Sequence, residues 1–282
     1  MPLTAPEVSL KITMLGSGNV ATHLSLAFEK AGHQVVTVYS RHLAHAQELA
    51  AKLKSAAAIT ATDFTTLPTS HVYCLCVTDS ALAEVFRQAK FPVGSIVVHT
   101  SGSLPLSILE NQGGIKAGVF YPIQTFSKNQ EVDLTQTPIA VEAEIPEVTA
   151  CLNALAASVS RQVVVLSSQD RKTLHLAAVF ACNFTNHLLG ISQEILKNKG
   201  LNPGLLQALV QATLNKALQH NPFAVQTGPA VRGDANVIQQ QIQQLEMLPV
   251  YQEIYEVISH SIQEKALEPI EAEPQTRSSI PG

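Results

Sequence analysis

Residues 11–21 read KITMLGSGNVA, and this stretch decides the fold of the first half of the chain. The run KITML at 11–15 is apolar enough for a buried strand, and Val20, Leu24 and Phe28 then recur at helical spacing. Between the two patterns lies a turn that contains two glycines. The stretch therefore predicts a strand, a glycine turn and a helix in succession.

The glycine turn has the spacing of the dinucleotide-binding fingerprint G-x-G-x-x-G/A. Gly16 permits the tight turn, Gly18 lets the backbone approach a pyrophosphate, and Ala21 lets the helix pack closely. The helix N-terminus adds unpaired N–H groups and positive potential. A glycine turn with a purely structural role is the alternative. We expect the cofactor to contact the residues of this turn, which are Gly16, Ser17, Gly18, Asn19 and Val20.

The end of the second predicted strand, at 34–39, indicates which dinucleotide fits. NAD-binding domains usually carry Asp or Glu there, and the carboxylate accepts hydrogen bonds from the adenosine ribose. This chain has Ser40 and Arg41 instead, a hydrogen-bond donor and a cation that suit a 2′-phosphate. The sequence therefore favours NADP(H). If Arg41 is only a solvated residue in the first turn of the next helix, the choice of cofactor stays open.

Strand and helix patterns alternate as far as residue 166, which is typical of an α/β domain. The strands are rich in β-branched residues and are separated by crossover lengths, so we expect about eight of them in one parallel sheet. The predicted fold class is α/β, a Rossmann-type doubly wound sheet followed by an all-helical domain.

The character of the sequence changes near residue 167, beyond which no strand pattern is convincing. Helices are predicted at 169–197, 202–219, 234–246 and 249–267. Ser167 and Asp170 resemble a capping box at the start of the first of them. The expected domains are an NADP-binding domain at 8–166, a helical substrate and dimerisation domain at 167–268, and a flexible tail at 269–282.

Small polar residues follow the fourth and fifth predicted strands. The carboxyl ends of parallel strands are where open sheets bind ligands, so both loops are expected beside the nicotinamide half of the cofactor. Small side chains suit close approach to a flat ring and its substrate, which makes Ser101 a candidate catalytic residue. Capping of the next helix is the alternative for Thr78 and Ser103. The candidate cofactor-binding residues of these loops are Val77, Thr78, His99 and Thr100.

Four stretches together resemble one known group of proteins. They are LGSGNVATHL at 15–24, HTSGS at 99–103 with YPIQTFS at 121–127, HLAAVFACNFTNHL at 175–188, and TGPAVRGD at 227–234. The chain is similar to the two-domain branch of the Rossmann-like proteins related to deazaflavin-dependent NADP reductases and pyrroline-carboxylate reductases. The resemblance implies an NADP cofactor, a helical domain of unknown function after the Rossmann domain, and dimerisation through that helical domain.

The long helix predicted at 169–197 carries the candidate catalytic residues. At 100° per residue, Asn183 lies about 80° and Asn186 about 20° from His175. An ordinary histidine has a pKa of about 6.5, which suits proton transfer at neutral pH, so His175 is the expected proton donor. Asn183 is the second catalytic candidate, and Asn186 is a candidate for binding substrate. A buried core histidine and asparagines that bridge the backbone are the alternative.

This helix departs from the pattern of the wider superfamily. Members that reduce hydroxy acids or ketopantoate place a lysine here, with asparagine one or two turns later. With His175 in the lysine's place, Val179 stands where the first asparagine would be, and Asn183 keeps the two-turn spacing. Lysine-based hydroxy-acid chemistry is therefore not expected, and Lys172 is expected to be solvated.

A turn-rich stretch at 227–234 separates two of the predicted helices. Arg232 offers a cationic fork that can bind a substrate carboxylate, and Asp234 can cap the next helix. Arg232 could instead pair with Asp234 or with a partner subunit.

Composition narrows the possible partners. The net charge is −4, and Lys and Arg are scattered, so neither nucleic acid nor an anionic membrane is an expected partner. No leader or membrane-span pattern is visible in the sequence, so the expected location is the cytoplasm. The four cysteines lack metal-ligand spacing and are expected to be reduced core residues, with no metal site.

Two functions fit these features. The first is an NADP(H)-dependent oxidoreductase, within a homodimer, that acts on a small carbonyl or imine acid in a cleft between the domains. The second is a non-catalytic NADP(H)-binding sensor or dimeric scaffold. Polar groups along the helix at 169–197 favour the enzyme.

Overall fold

The computed structural model of the protein describes residues 8–110, 112–127, 130 and 132–269. Its chain divides into two compact units between Phe184 and Thr185. The domain boundary predicted at 166/167 lies between β8, which ends at Val165, and the helix that begins at Ser168, and as a domain boundary it stays a prediction. The predicted tail lies outside the described residues apart from Pro269.

The first unit contains one eight-stranded sheet with helices. The strands are β1 (Lys11–Leu15), β2 (Gln34–Tyr39), β3 (Ala57–Ile59), β4 (Val72–Leu75), β5 (Ile96–His99), β6 (Lys116–Pro122), β7 (Ile139–Glu142) and β8 (Val163–Val165). The helices are α1 (Asn19–Lys30), α2 (Leu43–Ala50), α3 (Asp79–Gln88), α4 (Pro146–Ala157) and α5 (Ser168–Ala178).

The strand order is β3-β2-β1-β4-β5-β6-β7-β8, so the chain winds away from β1 in both directions. The crevice beside such a reversal point is where doubly wound sheets bind their ligands. The predicted α/β Rossmann-type fold and its eight strands are confirmed.

One strand pairing differs from the prediction, because β7 is antiparallel to β6. Parallel neighbours need a crossover connection, usually a helix. The described residues between β6 and β7 contain only the 3₁₀ turn Leu134–Gln136, and the chain returns alongside β6. α4 then provides the crossover to β8, which pairs with β7 in parallel.

Apolar clusters cover both faces of the sheet. Successive residues of a strand point to opposite faces, and in β1 Ile12 and Met14 join one buried cluster while Leu15 joins the other. Leu24 and Phe28 of α1 pack in the first cluster with Ile12 and Met14. Burial on both faces explains why the strands read as nearly continuous apolar runs.

The predicted helix at 169–197 is helical along its whole length but changes its winding. α5 is followed by the π-helix Val179–Phe184 and then by α6 (Thr185–Asn198). A π-helix closes i→i+5 hydrogen bonds, so steps of 100° per residue do not hold across it. The predicted angles of Asn183 and Asn186 from His175 are therefore wrong.

The stretch Ser168–Asn198 is also apolar and exposed. Within the described ranges it is the one helix long and apolar enough, by length and composition, to cross a membrane, with mean hydropathy 1.3 and 6% of that window buried. The expectation of no membrane partner stays a prediction. Its exposed apolar side chains are Leu176, Phe180, Phe184, Leu188 and Ile195.

The second unit is helical in its described residues. After α6 come the 3₁₀ turn Pro203–Leu206 and the helices α7 (Gln207–Gln219), α8 (Ala235–Gln244) and α9 (Pro249–Leu267). The helices predicted at 234–246 and 249–267 are confirmed to within two residues at each end. The helix predicted at 202–219 ends at Gln219 as expected, but its first residues form the 3₁₀ turn and α7 begins five residues later than predicted, at Gln207. Prolines, glycines and polar turns delimit these helices.

Candidate active site

The turn after β1 requires glycine at its first position. Gly16 has φ +124°, a conformation that side chains other than glycine rarely adopt. A Cβ atom there would overlap the carbonyl oxygen of Cys76, which follows β4. The Gly16 N–H donates to the Tyr39 carbonyl at 2.8 Å. The turn is thereby fixed between the ends of β2 and β4.

Gly18 plays a different part from Gly16. It precedes α1 with φ −79°, and a Cβ atom placed on it would have no protein atom within 4 Å. The space beside this backbone is therefore open at the N-terminus of a helix of 12 residues, where N–H groups favour an anion. This is the arrangement expected for a pyrophosphate site.

A cavity of about 410 Å³ brings the turn and the end of β2 together. Its lining includes seven predicted cofactor-binding residues: Gly16, Ser17, Gly18, Ser40, Arg41, Val77 and Thr78. Asn19 and Val20 are not in the lining, and Asn19 Nδ2 instead donates to the Phe126 carbonyl at 2.8 Å. The sequence prediction missed His45 and Glu48 of α2, which also line the cavity. Both lie on one face of α2, three residues apart and soon after Ser40 and Arg41, and this placement is the signal that would have found them.

Hydrogen bonds join the loops that follow β4 and β5. Ser103 Oγ donates to Asp79 Oδ2, and Ser101 Oγ accepts from the N–H groups of Ser103 and Leu104, each at 3.1 Å. Ser101 is therefore buried in a turn that it stabilises itself, and its catalytic role stays a prediction. Thr78 precedes α3 but makes no side-chain capping hydrogen bond.

His99 and Thr100 have buried side chains. His99 is 0% exposed, and its Nδ1 accepts from the Ser101 N–H at 3.2 Å. Burial, and secondarily the Arg171 charge, lower the pKa of His99 to about 4, so the ring is neutral at pH 7. Thr100 Oγ1 donates to the Leu75 carbonyl at 3.3 Å. A cofactor could reach this segment through its backbone, whereas the His99 ring orders the turn.

A tyrosine–histidine pair lies against the glycine of the loop after β5. Tyr121 Oη and His175 Nδ1 are 3.1 Å apart, and both side chains are half-buried. A Cβ atom on Gly102 would lie 2.6 Å from His175 Nδ1 and 2.8 Å from Tyr121 Cζ. Only glycine allows this approach. Tyr121 is absent from the predicted catalytic residues, because no local pattern links β6 to α5.

The environment of Tyr121 keeps its phenol protonated. Burial raises the pKa of Tyr121, the positive charge of Arg171 opposes the rise, and Asp79 and Cys182 add to it. At neutral pH the Tyr121–His175 pair therefore holds a phenolic proton beside Gly102.

The remaining candidates lie at exposed positions. Asn183 is in the π-helix and Asn186 in α6. Arg232, in the second unit, donates from Nε and Nη2 to Asp234 Oδ2 at 2.9 and 2.8 Å. This ion pair is the alternative to binding a substrate carboxylate. Lys172 is exposed, as expected. The substrate-binding roles of Asn186 and Arg232 stay predictions.

Two of the four cysteines depart from the prediction. Cys74 and Cys76 are buried in and just after β4 with their Sγ atoms 3.6 Å apart, but Cys151 is half-buried and Cys182 is exposed in the π-helix. The described residues contain no group of three or more His, Cys, Asp or Glu side chains arranged to hold a metal ion.

Comparisons with known proteins agree with this geometry. A Rossmann-like domain family matches residues 4–118, and a domain of unknown function, DUF2520, matches residues 137–262. A Bacteroides fragilis protein described as a "putative NADP oxidoreductase" is 39% identical over 91% of this chain and 98% of its own, with a TM-score of 0.84. The chain belongs to the family that joins these two domains, which confirms the resemblance stated from the sequence.

More distant structures share the fold. A Thermotoga maritima protein is 23% identical over 90% of this chain and 98% of its own, with a TM-score of 0.66. A reductive aminase from Aspergillus terreus, solved with NADPH, is 17% identical over 92% of this chain and 91% of its own, with a TM-score of 0.60. The name of the Bacteroides fragilis protein gives NADP, the cofactor predicted here. The comparison with curated proteins finds no match.

Proposed function

We propose that the protein is an NADP(H)-dependent oxidoreductase that reduces the carbonyl or imine group of a small acid. The observation that carries this proposal is that Gly16, Gly18, Ser40 and Arg41 line the same cavity. The Bacteroides relative named as an NADP oxidoreductase supports the same cofactor and reaction class.

Two parts of the cavity suit the two phosphate groups of NADP(H), the pyrophosphate and the 2′-phosphate. The open backbone at Gly18 and the N-terminus of α1 suit the pyrophosphate. Arg41 and Ser40 suit the 2′-phosphate, and Ser40 has a buried hydroxyl 3.4 Å from the His42 N–H. Glu48 adds a negative charge to the lining, and Lys52 lies 3.9 Å from its carboxylate. NADPH, when bound, supplies the hydride.

The protein's own residues supply the proton. With a proton on His175 Nδ1, the imidazole donates to Tyr121 Oη, and the phenolic O–H is free to donate to a substrate oxygen or nitrogen. The histidine then stabilises the phenolate that remains. This arrangement extends the sequence prediction for His175, because the tyrosine becomes the group that delivers the proton.

We also propose that a second copy of the chain covers the exposed apolar surface of the helix at 168–198. Leu176 and Phe184 are 60% and 48% exposed on this helix. Single exposed apolar residues are normal on a protein surface, but several on one helix are typical of an interaction surface. Light scattering is expected to give twice the mass of one chain. Leu176→Ser is expected to weaken the dimer, whereas the equally apolar control Val93→Ser, on a residue 90% exposed elsewhere, is not. A wild-type monomer at micromolar concentration would contradict the proposal.

A fluorescence titration with NADPH and NADH tests the cofactor. Wild type is expected to bind NADPH more tightly, and Arg41→Ala to weaken NADPH by about tenfold while leaving NADH within about twofold. Arg87→Ala, on an exposed arginine of α3 outside the cavity, is the matched control. If the protein binds neither NADPH nor NADH, the proposal is overturned. If NADPH binds tightly but no carbonyl or imine acid oxidises it, the sensor or scaffold is favoured instead.

A further inference from the structure

Arg171, in the first turn of α5, is fully buried although arginine is almost never so in proteins. Its Nη1 donates to the carbonyl groups of Ser101, Gly102 and Leu104 at 2.8, 3.3 and 2.7 Å. One guanidinium nitrogen therefore holds three peptide groups of the loop after β5. No sequence pattern marked this residue.

The other side of the guanidinium is anchored to the sheet. Arg171 Nη2 donates to Glu142 Oε2 at 2.9 Å, and Glu142 lies at the end of β7. Glu142 Oε1 accepts from the N–H and Oγ of Ser168 at 2.8 and 2.7 Å. Ser168 Oγ also accepts from the Leu106 N–H at 2.9 Å. The network connects β7, the start of α5 and the loop at 101–106.

The held loop is the one that touches the tyrosine–histidine pair. Gly102 packs directly against His175 and Tyr121, and its carbonyl accepts from Arg171. Arg171 and His175 lie one helical turn apart on α5, so they are fixed relative to each other. Moving the guanidinium would move Gly102 away from the pair.

Stability alone does not explain a buried arginine here. A buried ion pair often contributes less than an apolar replacement of similar volume. Arg171 Nε, moreover, has no hydrogen-bond partner in the described part of the chain. The guanidinium nevertheless has the planar fork that can meet a carboxylate on one side and carbonyl groups on the other, which a lysine ammonium cannot.

We propose that Arg171 is a positioning residue, which holds the loop at 101–104 against the Tyr121–His175 pair and thereby prepares that pair to deliver a proton. The part of this inference that concerns proton delivery rests on the proposed function. Its charge has a second effect, because it lowers the pKa of Tyr121 against the effect of burial. The groups that act on Tyr121 are Arg171, Asp79, Cys182 and, by hydrogen bonding, His175.

Two substitutions separate the geometry of Arg171 from its charge. Arg171→Lys keeps the cation and loses the fork, whereas Arg171→Met loses both. Hydrogen exchange at the amides of Ser103 and Leu104 is expected to become about tenfold faster or more in both variants, with the Cys74 amide in β4 as the internal control. Tyrosinate absorbance, with Tyr121→Phe as the blank, is expected to show a raised pKa of Tyr121 in Arg171→Met and a smaller change in Arg171→Lys.

Glu142→Gln provides a second route if Arg171→Met does not fold. It keeps the shape of the carboxylate but removes its charge and one of its two acceptor oxygens, so Arg171 Nη2 and the Ser168 N–H can no longer both be satisfied. Faster exchange of the Ser103 and Leu104 amides is therefore again expected. Unchanged exchange and unchanged Tyr121 titration in a folded Arg171 variant would overturn the inference. Neither readout needs cofactor, and the NADPH titration of wild type tests the proposed function separately. Failure of one proposal is therefore distinguishable from failure of the other.

Discussion

The glycine turn after β1 and the Tyr121–His175 pair are two parts of the candidate active site with opposite origins. The turn places Gly16 and Gly18 within three positions of each other, and the strand and helix on either side are continuous with it. The pair joins residues 54 positions apart, and Arg171 reaches the Ser101 carbonyl across 70 positions. The motif of the cofactor side is thus local in sequence, although the turn packs against Tyr39 and Cys76, whereas the proton-delivering side leaves no local motif and is assembled by long-range packing.

This difference explains why the sequence predicts the cofactor side but not the Tyr121–His175 pair. A glycine that needs φ +124° and a helix N-terminus leave a fixed spacing in the sequence. A hydrogen bond between β6 and α5 leaves no spacing rule, because the intervening chain can have any length. Substitutions on each side can therefore be chosen to test whether the two parts are independent.

The largest effect is expected on the local side. Gly16→Ala should destabilise the protein by about 4 kcal/mol, because the methyl group meets the Cys76 carbonyl and the φ value is strained. Gly18→Ala should leave the free energy of unfolding within about 1 kcal/mol but should weaken NADPH binding. Denaturant unfolding measures the stability of each variant, and a cofactor titration measures its NADPH binding. Equal stability losses in both variants would show that the turn is structural only.

The second effect concerns pH and the loop that links the two sides. His99 has a pKa of about 4 when folded and about 6.5 when unfolded, so the unfolded chain binds more protons between these values. Stability is complete above about pH 6.5 and falls by up to about 3 kcal/mol as the pH drops towards 4. His99→Asn, whose Oδ1 can replace Nδ1 as an acceptor, should flatten this slope in denaturant unfolding. A slope identical to wild type would contradict the assignment.

A smaller effect is expected on the long-range side. Tyr121→Phe and His175→Ala should each lower kcat for NADPH oxidation by a small carbonyl or imine acid about 100-fold, without changing NADPH binding. The double variant should lose little more, because the two residues act as a unit. Tyr251→Phe, in α9 of the second unit, is the control. Wild-type turnover in both single variants would remove the pair from the mechanism, and weakened NADPH binding would show that the two sides are coupled.

The predictions from sequence succeeded where the interactions are local. The order of elements through 166, the cofactor cavity around Ser40 and Arg41, and the helical region beyond all follow from periodicity, glycine spacing and capping residues. The cap at Ser167 is a clear case, because its Oγ accepts from the Asp170 N–H at 3.1 Å as the capping box predicts. The sequence signals for these features are local, although the cavity itself also requires the ends of β1, β2 and β4 to pack together.

The tertiary structure alone decided the rest. The antiparallel direction of β7 depends on how the chain returns from β6, and the π-helix at 179–184 changes which side chains share a face. The burial of His99 and the hydrogen bonds from Arg171 to three carbonyl groups depend on strands and helices far apart in sequence. The sequence by itself determined the elements and the position of the cofactor turn, because hydrophobic periodicity and glycine spacing are properties of adjacent residues. Tyr121, His175 and Arg171 became one site only through packing, because their contacts exist only in the folded chain.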